Sequence, residues 1–179
     1  MLIYLDANLI QYCADYEDFL FGDNPASPTS EPKLLHELMS LRQLIELEQL
    51  GNEWHFAAPI HLMKELLLMK ELLSGKPTVR QRDVYSTLLQ AWNDSGWQES
   101  IGAGEETVTS IENRLKSLNL RDDADRRHLA EAVALEASWF LTNDRNIISR
   151  TRSAPQRTVY GVRVARPSEC IEEISVGCS

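Results

Sequence analysis

The chain has little cysteine and uses it in no recognisable pattern. Cys13, Cys170 and Cys178 are odd in number, and none stands in a CxxC or Cys/His spacing. That excludes a zinc site or a redox pair as the organising chemistry. Long apolar runs are missing too: no stretch approaches the roughly 20 residues that span a bilayer. The first strand-like segment starts one residue after Met1, which leaves no room for a signal peptide. A cytoplasmic protein with no membrane partner is the expectation. Positive charge is also scarce, with 18 Lys and Arg against 27 Asp and Glu for a net charge of −9. This balance excludes a protein that coats nucleic acid through a broadly basic surface. There is no internal repeat, and one Pro/Ser-rich stretch at 24–32 is the nearest thing to low complexity.

What is present is an alternation of strand and helix signals. With 179 residues, 43% of them hydrophobic, the chain can bury one α/β core with insertions but is short for two domains. Strands are expected at 2–6, 54–58, 139–143 and 159–165. Helices are expected at 9–21, from Leu34 to Gly51, at 60–74 after Pro59, at 78–92, 105–118, 123–137 and 145–151, and after Pro167. Such alternation implies an α/β protein, its parallel sheet covered by helices on both faces.

Four acids stand beside or just after segments that should be buried: Asp6, Glu65, Asp125 and Asp144. Asp6 closes Leu2-Ile3-Tyr4-Leu5, and Asp144 follows Trp139-Phe140-Leu141-Thr142-Asn143. Open α/β sheets collect their chemistry at the carboxyl ends of such strands. In the 60–74 helix, Glu65 shares a stripe with Leu62, Met69 and Leu72, whereas Glu71 falls with His61 and Lys64 on the solvent side. Asp125 stands four residues before Leu129 on the buried stripe of its helix, with Asp122 or Asp123 as the capping residue. Each acid also has a plain structural role open to it. Asp6 can close a turn, Asp125 can favour the helix dipole, Glu65 can pair with an arginine, and Asp144 can cap the helix that follows.

Carboxylates crowded into one cleft repel unless a cation neutralises them, and oxygen-only ligands select Mg²⁺ or Mn²⁺. Removing one such charge is expected to leave stability unchanged or raise it. Asn8, Thr142 and Asn143 are the expected supporting residues. Residues 121–166 hold nine arginines, no lysine and six acids, a local charge of +3 against −12 for the remainder. Arginine forks bind oxyanions bidentately, so Arg126, Arg127 and Arg145 are the expected phosphate contacts.

These residues resemble a known family. The block from Asp125 through Ala130, Ala132, Ala134 and Ala137 to Thr142-Asn143-Asp144 is similar to the carboxyl half of a PIN domain. Tyr4-Leu5-Asp6-Ala7-Asn8 resembles the first strand of that family, Pro59-Ile60-His61-Leu62-Met63-Lys64-Glu65 the helix bearing its second acid, and Tyr160–Pro167 the last strand. Residues 22–52 and 76–118 match poorly and are expected as insertions in a single domain spanning 1–179. The resemblance implies a three-layer α/β/α fold with a parallel sheet of about five strands. It also implies a metal-dependent nuclease site built on Asp6, Glu65, Asp125 and Asp144, RNA as substrate, and a homodimer. The family includes VapC-like toxins of toxin–antitoxin pairs, a role that would add an antitoxin protein as partner. The rival readings are a catalytically inactive PIN-like binding module and a DNA nuclease. A phosphotransferase of the haloacid-dehalogenase type needs a second Asp two residues after the first, where this chain has Asn8.

Overall fold

Leu2–Leu5 is hydrophobic at every position, and a strand with no polar face must be covered on both sides. The computed structural model describes residues 1–22, 27–50, 54–57, 104–152 and 158–177. In it this segment is β1, an interior strand of a five-stranded sheet. The other strands are β2 (His55–Ala57), β3 (Trp139–Leu141), β4 (Thr158–Val159) and β5 (Val162–Ala165), in the spatial order β2-β1-β3-β5-β4. β1 runs parallel to β2 and β3, and β3 runs parallel to β5. β4 pairs with β5 antiparallel.

Seven helices are seen among the described residues: α1 (Ala7–Asp15), α2 (Glu17–Leu20), α3 (Pro32–Gln49), α4 (Glu105–Leu115), α5 (Asp123–Ala134), α6 (Arg145–Thr151) and α7 (Pro167–Gly177). Successive strand side chains point to opposite faces, and β1 divides accordingly. Ile3 and Leu5 join Leu9, Leu38, Leu41 and Ile171 in the core under α1, α2, α3 and α7. Tyr4 joins Leu115, Leu129, Ile147 and Val164 in the core under α4, α5 and α6. Its ring stacks on Phe140 at 5.3 Å between centroids. The fold is therefore mixed α/β, with helix, sheet and helix in three layers. α3, expected within an insertion, is part of the first core, because Leu38, Leu41 and Leu44 are fully buried there.

Three expected elements differ. The helix expected at 9–21 breaks at Tyr16 into α1 and α2. In one continuous helix Phe19 would sit six residues, roughly 120°, off the face of Cys13; the break turns Phe19 and Leu20 into the core instead. The helix expected at 123–137 ends at Ala134 in a Schellman motif. Glu136 takes a left-handed φ of 52°, its N–H donates to the Val133 carbonyl, and the Ala137 N–H donates to that of Ala132. No glycine marks this stop, so periodicity alone overruns it.

The strand expected at 159–165 is a hairpin. Tyr160 and Gly161, at φ 49° and 92°, form a two-residue turn whose backbone twist matches that of the flanking strands. The Arg114 guanidinium lies over the ring of Tyr160, the non-glycine residue of that turn, at 4.3 Å. A Cβ at Gly161 would meet nothing within 4 Å, so Gly161→Ala isolates the backbone term. It is expected to destabilise by about 1 kcal/mol, measured as a lower denaturation midpoint at unchanged slope.

Glu65 and Glu71, with the helices expected at 60–74 and 78–92, lie outside the described residues, as do Arg157 and Cys178. Among the described residues no helix is long and apolar enough to cross a membrane.

Candidate functional site

The sheet register pairs Leu5 with Leu141 and Leu141 with Ala165. Asp6, Thr142 and Arg166 thus leave three adjacent strands at the same level. The chain departs from β1 and β3 toward opposite faces, α1 into one core and α6 into the other. That divergence opens a crevice at the carboxyl ends of a parallel sheet.

Thr142 is the centre of the hydrogen bonding there. Fully buried, its hydroxyl donates to Asp6 Oδ2 at 2.6 Å and accepts from Asn8 Nδ2 and the Asp144 N–H, both at 3.0 Å. One donor and two acceptor positions are all that a hydroxyl has. Asn8 Nδ2 also donates to Asp6 Oδ2, and Asn8 Oδ1 accepts the Asn143 N–H at 3.1 Å. The expected supporting residues therefore tie the end of β1 to the end of β3.

Asp6 is 2% exposed. Oδ1 accepts the Ala7 N–H at 2.8 Å and faces His128 Nδ1 at 3.3 Å, while Oδ2 takes Asn8 and Thr142. Four partners fill the lone-pair positions of a carboxylate. Asp144 caps α6 through Oδ1, which accepts the Asn146 and Ile147 N–H groups at 2.6 and 3.1 Å. The turn-closing and capping roles open to these two acids from sequence are both present. They leave Asp144 Oδ2 outside the cap.

Asp125 differs from both. It sits in the first turn of α5, behind the Asp122 cap, half-buried and with no hydrogen bond or ion pair among the described residues. Burial first, and then the charges of Asp6, Asp144 and Asp122, raise its carboxyl to about 6, with His128 opposing. Asp6 and Asp144 thus both act on Asp125; Glu65, the fourth acid singled out in the sequence, lies outside the described residues. Among the described residues no three His, Cys, Asp or Glu side chains form a group that could hold a metal ion.

Sequence reading missed His128, 2% exposed. The available signal was its place three residues after Asp125, on the same helix face. Glu131 extends that stripe by three more, accepting from the Tyr4 hydroxyl at 3.1 Å and from Arg127 Nε at 3.2 Å.

The three expected phosphate contacts separate. Arg126 pairs with Asp123 at 2.6 Å and Glu112 at 3.5 Å. Arg127 reaches Glu131, Glu112 and Glu105. Both guanidinium groups thereby clamp α4 to α5. Arg145 instead lines a cavity of about 500 Å³, together with Asn143 and Arg166.

No family model, no curated protein and no solved structure matches the chain. The resemblance to PIN domains rests on its own residues.

Proposed function

We propose that the chain is a metal-dependent endoribonuclease of the PIN type, cleaving RNA phosphodiester bonds with Mg²⁺ or Mn²⁺. The observation that carries this reading is Asp125, a half-buried carboxylate with no partner among the described residues, its pKa raised first by burial and then by the charges of Asp6 and Asp144. A folded protein gains nothing in stability from such an arrangement. It is what a site for a hard cation requires in the absence of the cation.

The donor set fits Mg²⁺, which is commonly held by one or two carboxylates and keeps several of its waters. Asp125 and Asp144, the latter through Oδ2, which has no partner among the described residues, would hold the ion, with Glu65 as the further ligand that the resemblance implies. Asp6, its oxygens already committed to four partners, acts by charge and by positioning Thr142. When bound, the ion supplies Lewis-acid stabilisation of a phosphodiester and lowers the pKa of a water. Thr142 and Asn8 hold the strand ends together against the repulsion of their like charges, and His128 faces Asp6 Oδ1.

One observation favours the rival reading of an inactive binding module: the absence of a metal-holding group of three among the described residues. Labelled single strands of RNA and DNA of equal sequence, incubated with Mn²⁺, Mg²⁺ or EDTA, separate the two. Cleavage of RNA in metal alone supports the nuclease. Binding without cleavage in every condition selects the module, and faster cleavage of DNA would sink the ribonuclease assignment.

A further inference from the structure

A cavity opens beside Asn143, on the side of the sheet that carries α1 and α3. Its volume of about 500 Å³ is within the range of small-ligand sites. Through Asn143 it lies next to the crevice. Asn143, whose N–H is held by Asn8, stands between Thr142 and Asp144 and lines the cavity wall, and Arg145 follows next in the chain.

Charge distinguishes this cavity from the rest of the molecule. Lys33, Arg145 and Arg166 line it against Glu31 and Glu37, so it is net positive on a chain of net charge −9. Glu37 is already committed: it accepts the Ser168 N–H at 3.1 Å and the Ser168 hydroxyl at 2.8 Å, at the start of α7. The arginines come from different strand ends, Arg145 after β3 and Arg166 after β5, and the parallel register brings those ends together. Arg126 and Arg127, by contrast, are engaged by the acids of α4 and α5. Tyr12 also lines the cavity; its phenol bonds the Asn143 side chain and is held above its usual pKa, chiefly by burial. Paired guanidinium forks recognise phosphate, and an aromatic ring beside them suits the face of an unstacked base.

We propose that this cavity binds one nucleotide of a single RNA strand, with Arg145 and Arg166 on a phosphate adjacent to the scissile one and Tyr12 against its base. The inference rests on the nuclease reading for the direction of the strand, but binding here does not require cleavage. One nucleotide held by a cavity on an otherwise acidic molecule gives short contact, so affinity is modest and strongly salt-dependent.

The test uses the full chain and a 5′-fluorescein hexaribonucleotide in EDTA, followed by anisotropy at several salt concentrations. Arg145→Gln/Arg166→Gln is expected to weaken binding at least tenfold. It is also expected to lower the slope of log K against log salt by about 0.7 for each phosphate lost. Arg152→Gln, an exposed arginine paired with Glu169, is the control and should bind as the wild type does. Tyr12→Leu should weaken binding without changing the slope, because it removes stacking and no charge. Equal affinity and slope in the double arginine variant, with an unaltered melting curve, would overturn the proposal, as would a wild type that binds no hexamer. A wild type that binds through these arginines but never cleaves in Mn²⁺ leaves the cavity assignment standing and removes the nuclease reading.

Discussion

Asp125→Asn is expected to raise the melting temperature of the metal-free protein at pH 7 while lowering metal-dependent RNA cleavage by roughly 100-fold or more. The two effects have one cause. The Asp125 carboxyl titrates near 6 rather than 3.8 because it is half-buried beside Asp6 and Asp144. Above pH 6 the folded state therefore holds a charge that the unfolded state accommodates more easily. That penalty is complete above the folded pKa. It fades as pH falls between 6 and 3.8, where the folded state binds more protons than the unfolded one, and is gone below 3.8. For a partly solvated group the penalty is about 1 kcal/mol after allowance for solvent screening. For a chain of this size that corresponds to roughly 2–4 °C.

Melting curves in EDTA should show the wild type gaining on Asp125→Asn as pH is lowered from 7 toward 4. Millimolar Mn²⁺ should stabilise the wild type at pH 7 and the variant much less, because only binding to the folded state adds stability. Loss of even a supporting residue in a metal site lowers affinity or activity by about 10–100-fold, and loss of a ligand should exceed that. A variant that is more stable yet cleaves at the wild-type rate would show that Asp125 is merely strained. A variant with unchanged melting at every pH would remove the electrostatic argument itself.

Thr142→Val is expected to be the most destabilising single change at the site. Valine matches threonine in shape but lacks the hydroxyl, and that hydroxyl makes three hydrogen bonds in a fully buried position. Its loss leaves Asp6 Oδ2 with one donor fewer and the Asp144 N–H with no partner at this position. Each buried group left unsatisfied costs about 1–3 kcal/mol. A total of about 3 kcal/mol would lower the melting temperature by roughly 5–10 °C. Thr142→Ser keeps the hydroxyl and should lose only the methyl contribution, about 1 kcal/mol. Thermal denaturation of the two variants side by side reads the difference, and equal losses would mean that packing of the methyl, rather than the hydroxyl, joins the strand ends. The same network changes the expectation for Asp6. Sequence reasoning treats its removal as relief of charge, but Asn at this position would turn an N–H toward groups that are themselves donors.

The layered α/β architecture could be read from the chain because its signals are local. A strand such as Leu2–Leu5 with no polar face has to be interior, and helices with one apolar stripe have to cover it. The N-cap at Asp122 and the role of Asp144 ahead of α6 were open to the same reading, because capping spans only two or three residues. Elements whose ends depend on a left-handed residue other than glycine were not legible. The stop at Glu136 is a local cap but rests on a left-handed residue that no glycine announces, and the turn at Tyr160 lies under Arg114, which only the folded chain brings near.

The same division holds at the site. The residue types and order of Asp6, Asn8, Asp125, Thr142 and Asp144 are present in the linear chain, and they point to carboxylate chemistry at strand ends. Whether a carboxylate is saturated or available is a matter of partners more than 100 positions away, as when Thr142 donates to Asp6. Local sequence carries no record of such separations. The arginines make the point most sharply. Arg126, Arg127 and Arg145 are equivalent in composition, yet the packing of α4 on α5 engages the first two with acids. The parallel register of β3 and β5 sets the third beside Arg166 at the rim of a cavity. A guanidinium in an ion pair and one facing an open cavity differ only in their neighbours, and neighbours across a sheet are chosen by the fold.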